Sequence, residues 1–225
     1  MAREVLLTGA NRGIGLEFAR QLAARGDRVV ATCRNPAAAS ELAALDVQVE
    51  TLDVVEAASI ERIAALYEDR NLDLLINNAG VGVGHRPLGK LDYEEMGIFY
   101  ATNAVGPLRL IEALLPALRR GEYPTVVSLT SRVGSIQDNT SGGSYAYRAS
   151  KAALNAITKS LAIDLAEEGF TCVVLHPGWV QTDMGGASAP LPTDQSVAGM
   201  LRVLEGLSQE DSGGFFDYTG ESLPW

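Results

Sequence analysis

One short segment concentrates the residue types that move protons. In TSRVGSIQDNTSGGSYAYRASK, Thr130 to Lys151, five serines (Ser131, Ser135, Ser141, Ser144, Ser150) accompany Tyr145, Tyr147 and Lys151. A phenol can protonate the oxygen of a carbonyl if its pKa falls from about 10 towards neutrality. A nearby ammonium does this by stabilising the phenolate, and a shift of about three units is worth roughly 4 kcal/mol. Residues four apart share a helix face, which is the spacing of Tyr147 and Lys151. Tyr145, six residues from the lysine, lies about 240° around the helix. It is expected as a wall residue, and Tyr147 as the acid.

A hydroxyl that orients the carbonyl belongs at the carboxyl end of a strand, where ligands of open α/β sheets bind. Ser131 directly follows the strand-like TVVSLT and takes that position. Ser128 falls within the strand. Ser141 and Ser144 are expected to shape the loop and cap the helix that follows.

These residues must be held by regular elements, and the chain supplies an alternation of them. EVLLT (Glu4 to Thr8), RVVATC (Arg28 to Cys33), VQVETL (Val47 to Leu52), LDLLIN (Leu72 to Asn77), TVVSLT (Thr125 to Thr130) and TCVVLH (Thr171 to His176) read as strands. Several are apolar on both faces, as in a parallel sheet covered by helices on each side. Between them, GLEFARQLAARG places Leu16, Ala19, Leu22 and Ala23 on one helical face and ends at Gly26. EAASIERIAALYEDR does the same with Ile60, Ile63, Ala64 and Tyr67. Longer apolar-faced stretches cover Tyr93 to Leu118 and Tyr145 to Glu168, then come DQSVAGMLRVLEGL and a last short strand in GGFFDYTGESLPW. The pattern predicts a doubly wound Rossmann fold of about seven parallel strands, helices on both faces, in one domain over residues 1–225.

The first strand runs into TGANRGIG, Thr8 to Gly15. With Gly9, Gly13 and Gly15 where strand becomes helix, backbone amides at the helix N-terminus can approach a pyrophosphate. The second strand ends in ATCRNP, with Arg34 and no carboxylate at its tip, while Arg12 adds a charge inside the glycine loop. Two guanidinium groups near one ribose suit a 2′-phosphate, so the expected cofactor is NADP(H).

The remaining composition is exclusionary. The 225 residues carry a net charge of −10, which argues against nucleic acid and anionic membrane partners. No apolar run approaches the roughly 20 residues of a membrane helix, and no signal peptide opens the chain, so a cytoplasmic location is expected. Cys33 and Cys172 read as buried apolar-like side chains. His85 and His176 have no third ligand at a recognisable spacing, so no metal is expected.

Taken in order, TGANRGIG, NNAG (Asn77 to Gly80), YRASK (Tyr147 to Lys151) and PG (Pro177, Gly178) resemble the motifs of the short-chain dehydrogenase/reductase family, over essentially the whole chain. A narrower resemblance, on GSIQDNTSGGSYAYRASKAALN, HPGWVQTDMGG and the closing GESLPW, is to the carbonyl-reductase branch that includes the insect sniffer reductase and the myxobacterial C-factor. The resemblance implies catalytic roles for Ser131, Tyr147, Lys151 and Asn103, the last through a water-linked path to the lysine. It implies cofactor contacts from Gly9, Asn11, Arg12, Gly13, Ile14, Gly15, Arg34, Asp53, Val54, Asn77, Ala79, Gly80, Tyr147, Lys151, Pro177, Gly178, Val180 and Thr182. Ser150 would lie near the cofactor without performing catalysis. In the family, helices equivalent to the two long apolar ones pair between subunits, so a homodimer, or a tetramer, is expected.

IQDNTSGG looks like an insertion between Ser131 and Tyr147, and DMGGASAPLP after Thr182 like a small-residue loop bordering a permissive pocket. The expected reaction is NADPH-dependent reduction of a small carbonyl compound to an alcohol. Two alternatives stand beside it: a cofactor-binding signalling protein of the C-factor type, and a carrier-bound ketoacyl reductase using Arg86, Lys90 and Arg132.

Overall fold

The structure, a computed structural model, describes residues 2–82 and 86–225. Seven parallel strands form one sheet in the order β3-β2-β1-β4-β5-β6-β7. They are β1 (Glu4–Leu7), β2 (Arg28–Cys33), β3 (Gln48–Thr51), β4 (Leu74–Asn77), β5 (Thr125–Leu129), β6 (Thr171–His176) and β7 (Phe215–Asp217). The helices are α1 (Gly13–Ala24), the short α2 (Ser40–Ala43), α3 (Ala57–Leu66), α4 (Tyr93–Tyr100), α5 (Gly106–Leu118), α6 (Tyr145–Asp164) and α7 (Thr193–Gly206). Strand order reverses between β1 and β4, which makes the cleft beyond their carboxyl ends the expected ligand site of such a sheet.

Two cores flank the sheet, and strand alternation sorts residues between them. Val5 and Leu7 of β1 face one side with Phe18 and Leu22 of α1 and Val197, Met200 and Leu201 of α7. Leu6 faces the other with Ile60 and Ile63 of α3 and Leu110, Ile111 and Leu114 of α5. The both-faces-apolar strands of the sequence are therefore the central ones. Tyr67, expected on the apolar face of α3, is 1% exposed just past its end.

The long stretch from Tyr93 to Leu118 is one helical path interrupted by a π-helical turn, Ala101–Val105, between α4 and α5. Such turns bulge the backbone and recur at functional sites. This one contains Asn103. Gly106 follows because a Cβ there would come within 2.8 Å of the Val54 carbonyl oxygen, so α5 can approach the end of β3 only without a side chain.

Candidate functional site

The glycine loop after β1 is shaped by close approach. Gly9 has φ +68°, and a Cβ on it would stand 2.8 Å from Ala79 Cα; one on Gly15 would stand 2.2 Å from the Gly9 oxygen. The loop is thus pressed onto the segment after β4. Asn78 fastens the two, its Nδ2 donating to Thr8 O at 2.8 Å and Gly9 O at 2.9 Å. Thr8 Oγ1 accepts from Asn78 N and Ala79 N at 3.0 and 2.9 Å. Asn78 escaped the sequence reading although it sits inside NNAG. Its signal was there: an amide directly after a buried strand, opposite a glycine loop that needs a partner.

The start of α1 fits an anion. Arg12 occupies the N-cap in extended conformation without a side-chain cap, and no acidic residue lies in the first turn. Its amides are therefore open to a pyrophosphate. Arg12 and Arg34 are both exposed, and β2 ends without a carboxylate at its tip. That donor set suits NADP(H). Asn11 and Ile14 flank Arg12 and Gly13 in the same loop. Asp53 turns the chain into α3, its Oδ1 accepting from Val55 N at 3.1 Å and its N–H donating to Ser59 Oγ at 2.9 Å. Val54 is buried behind it.

Asn77, the last residue of β4, is 3% exposed, and its Nδ2 donates to Ser128 Oγ at 3.4 Å, between β4 and β5. Beyond it Asn78 and Ala79 are half-buried and Gly80 is exposed.

Opposite the glycine loop lie the residues expected to carry proton chemistry. Ser131 follows β5 and caps a 3₁₀ turn, Arg132–Gly134, with Val133 N donating to its Oγ at 3.4 Å. Tyr147 is on the first turn of α6 and Lys151 is one turn on, its Nζ 5.8 Å from the Tyr147 ring centroid. Burial pushes the Tyr147 phenol up, and a hydrogen bond with Ser131 pulls the other way. Here the chain departs from expectation: the net direction for the Tyr147 phenol is up, because burial outweighs the groups around it. Lys151 Nζ lies over the ring face and donates to Leu129 O at 2.7 Å. Lys151 is 5% exposed, and burial lowers its ammonium to about 8.

Asn103 is buried and fully engaged. Its Oδ1 accepts from Val81 N at 2.8 Å, and its Nδ2 donates to Val81 O at 2.8 Å and Ser150 Oγ at 2.9 Å. Ser150 in turn donates to Tyr147 O at 2.9 Å. Asn103 therefore meets α6 through Ser150. A Cβ on Gly80 would lie 3.1 Å from Asn103 Oδ1 and 3.7 Å from Lys151 Nζ, so this glycine keeps open the space between them. Gly82 does the same for the tyrosine: a Cβ there would stand 2.7 Å from Tyr147 Cε2 and 3.4 Å from Met184 Sδ.

The rival hydroxyls are accounted for. Ser128 is wholly buried. Ser141 accepts from Arg148 at 2.9 Å. Ser144 precedes α6, but with φ +44° it makes no capping hydrogen bond; left-handed backbone, continued from Gly142 and Gly143, carries its side chain away from the helix amides. Tyr145 is 40% exposed and Tyr147 half-buried.

The loop after β6 completes the cleft. Pro177 O accepts from Ser196 Oγ at 2.6 Å, Gly178 packs on Leu191, and Val180 bridges Leu191. Thr182 Oγ1 accepts from Gly185 N at 3.0 Å. Trp179 Nε1 donates to Gly185 O at 2.8 Å and Gln181 Nε2 to Ala189 O at 3.0 Å. The small-residue loop is thus tied across its base. Arg12 crosses from the glycine loop to Asp183, at 2.6 Å.

Cys33 and Cys172 are free and buried, the latter pushed up to about 12 by burial. His176 is depressed to about 4 by burial, opposed by Asp217. His85 lies outside the described residues. Among the described residues no cluster of His, Cys, Asp and Glu could hold a metal, and no helix is long and apolar enough to cross a membrane.

Comparison with known proteins agrees with this geometry. Residues 3–190 match the family model for short chain dehydrogenases. The NADPH-bound carbonyl reductase from chicken fatty liver is 39% identical with a TM-score of 0.94, over 100% of this chain and 99% of that one. The carbonyl reductase Sniffer of Drosophila melanogaster is 34% identical with a TM-score of 0.92, each chain covered in full. The C-signal of Myxococcus xanthus is 56% identical over 154 residues, 68% of this chain and 93% of that protein. Sheet order, glycine loop and the Tyr147–Lys151 helix accordingly have one common explanation: the chain belongs to the short-chain dehydrogenase/reductase family.

Proposed function

We propose that this chain is a one-domain NADPH-dependent reductase that converts small aldehydes or ketones to alcohols. The observation that carries the reading is the meeting of Tyr147 and Lys151 one turn apart on α6, Lys151 Nζ 5.8 Å from the Tyr147 ring centroid, beside the turn that Ser131 caps. The likeness to an NADPH-bound carbonyl reductase supports the cofactor. Arg12 and Arg34 would receive the 2′-phosphate, the α1 amides and Gly13 to Gly15 the pyrophosphate, and Pro177 to Thr182 the nicotinamide end. Bound there, the reduced nicotinamide supplies a hydride for the carbonyl carbon.

The chain's own residues supply the proton. Ser131 donates to the carbonyl oxygen and fixes its position beside Tyr147. Tyr147, held protonated by burial, releases its proton to that oxygen as negative charge develops. Lys151, still protonated at neutral pH, stabilises the resulting phenolate across the ring it already faces. Asn103 holds Val81 and Ser150, and through them the spacing between the cleft floor and α6.

The rim suits small apolar carbonyl compounds. Trp179 and Met184 are 57% and 47% exposed beside the cleft. A carrier-bound substrate is less well served, because Arg86 is paired with Glu95 at 2.7 Å and Arg132 with Asp138 at 2.9 Å. The exposed Tyr93, Ile98 and Ile163 of α4 and α6 support association as a homodimer. Size-exclusion chromatography with light scattering checks this, and a monomer at micromolar concentration would sink it.

The test is NADPH oxidation in the presence of a panel of aldehydes, ketones and diketones, with NADH in parallel. Turnover by wild type, and its loss in a Tyr147→Phe variant that still binds NADPH, is expected; no turnover with any carbonyl overturns the reading. The likeness to the C-signal favours a second reading, a cofactor-binding signal for which turnover is incidental. In the source organism, a Tyr147→Phe allele that keeps the wild-type phenotype would support it.

A further inference from the structure

The closing residues Gly220 to Trp225 take no part in the reaction proposed above, yet they reach the turn that carries its serine. After β7 the chain turns on Asp217, whose Oδ1 accepts from Thr219 N at 2.8 Å, Thr219 Oγ1 at 2.6 Å and Glu221 N at 3.2 Å. A side-chain-stabilised turn of this kind sends the tail back antiparallel to β7. Ser222 bridges Phe216, and Leu223 N donates to Phe215 O at 2.7 Å. Leu223 is buried with Val174 and Phe215, and the Trp225 ring leans on Phe215 with centroids 5.5 Å apart. These two anchors fix the main-chain oxygen of Trp225. That oxygen accepts from Ser135 Oγ at 3.1 Å and from Gln137 N at 2.9 Å.

Ser135, 2% exposed, closes the turn that Ser131 opens. Gly134 N donates to Ser131 O at 2.8 Å and Ser135 N to Arg132 O at 3.0 Å. The turn also touches α6, since a Cβ on Gly134 would lie 2.9 Å from Lys151 Cβ. The segment carrying Ser131 is therefore held from two sides, by α6, through the contact at Lys151 and through Arg148 Nη1 donating to Val133 O at 3.1 Å, and by the oxygen of Trp225. The turn alone holds the serine hydroxyl weakly, through a 3.4 Å contact from Val133 N.

We propose that Trp225, acting through Ser135, is a positioning residue for Ser131, so that the tail sets the turnover of a reaction it does not touch. This rests on the catalytic reading of Ser131. A hydroxyl that must meet both Tyr147 and a carbonyl oxygen tolerates little displacement; a 1 Å error in such a group can lower rate about 100-fold. Removing one of the two supports should produce part of that loss.

The experiment is steady-state kinetics on the full chain with NADPH and one accepted carbonyl, for Ser135→Ala, Ser135→Thr, Trp225→Ala and the Ser135→Ala/Trp225→Ala pair. NADPH affinity is measured by fluorescence titration. Each alanine variant is expected to lose about tenfold in kcat with NADPH affinity within about twofold of wild type. The double variant should be no worse than the poorer single one, because both break the same support. Ser135→Thr, which keeps the donor, should recover most of the turnover. Unchanged kcat in both single variants, losses that multiply in the double variant, or NADPH affinity falling in step with kcat overturns the inference. Ser131→Ala run beside them separates the two readings. If it is fully active, the catalytic role of Ser131 falls and the inference with it; if it is inactive while the Ser135 and Trp225 variants are unimpaired, the inference alone falls.

Discussion

The two sides of the cleft are held by different physics. On the cofactor side, β1 and β4 bring their following loops so close that side chains are excluded: a Cβ on Gly9 or Gly15 would strike Ala79 or the Gly9 oxygen. On the reactive side, after β5 and along α6, the spacing is kept by buried polar side chains in chains of two or three. Asn103 reaches Ser150, Ser150 reaches the Tyr147 carbonyl, and Lys151 reaches Leu129 O. The first side is built for backbone amides to face an anion, and its charged groups stay in water. The second keeps a phenol, a hydroxyl and an ammonium in register by burial, which raises the phenol and lowers the ammonium. Binding and proton transfer should accordingly fail separately.

The largest expected effect follows from that separation. Tyr147→Phe removes the proton donor and leaves the ring that faces Lys151 and Gly82. General acid catalysis contributes roughly 10² to 10⁴ in rate, so kcat should fall by about 10³. NADPH affinity should change by no more than about twofold, since the hydroxyl would be only one of many groups facing the cofactor. A variant that loses binding and turnover together would erase the distinction between the two sides.

Next is the pH dependence of stability. Lys151 in the folded chain is lowered by burial to about 8, against 10.5 as its ordinary value. Between those values the unfolded chain holds a proton that the native one has released. Stability therefore rises as pH increases from about 8 towards 10.5, and is lowest where Lys151 must be charged in place. The full difference is on the order of 3 kcal/mol at 1.36 kcal/mol per unit. Denaturant unfolding at pH 7.5 and 9.5 should show the gain in wild type and a smaller one in Lys151→Met. Equal slopes in the two proteins would mean that the ammonium is not buried as described. Activity in the reductive direction should fall over the same range, as Lys151 loses the charge that steadies the phenolate.

Gly15→Ala tests the cofactor side. Its new Cβ would meet Gly9 O at 2.2 Å and Asn78 Nδ2 at 2.5 Å, so the loop must lift off Asn78. Overpacking of this kind costs about 1–3 kcal/mol. The strain should appear as a KM for NADPH raised roughly tenfold or more, with kcat at saturation within about threefold. A fall in kcat at unchanged KM would place the glycine loop in the reactive half instead.

How much of this could be read beforehand follows the same division. The glycine loop was legible because glycine at Gly9 and Gly15 has few uses other than close backbone approach, and the flanking strand and helix announce themselves by period. Tyr147 was legible because helical spacing to Lys151 is a local quantity. Asn78, Gly82, Ser150 and the Trp225 contact to Ser135 were not, since each works across 47 or more residues of chain or through a glycine's missing side chain. Asn77 shows a related limit: a motif names a residue, and only the pleat of β4 decides which neighbour its side chain meets, here Ser128 of β5. The direction of the tyrosine's shift was misjudged because spacing gives a shared face but neither the burial of the phenol nor where Nζ finds its acceptor.

The smallest effect belongs to the exposed bridge between the two sides. Arg12 and Asp183 pair at 2.6 Å with side chains 69% and 76% exposed, so the interaction is screened and contributes little, about 0–1 kcal/mol. Its place gives it more interest than its strength, because Arg12 sits at the open end of α1 and Asp183 follows Thr182 in the loop after β6. If Arg12 receives the 2′-phosphate as proposed, the phosphate would have to share it with that carboxylate. Asp183→Asn should free the guanidinium and tighten NADPH by no more than about fivefold, with little change for NADH, and the gain should shrink as salt rises. Equal tightening of both cofactors, insensitive to salt, would mean that Asp183 acts on the loop's shape and that Arg12 is not the group reading the 2′-phosphate.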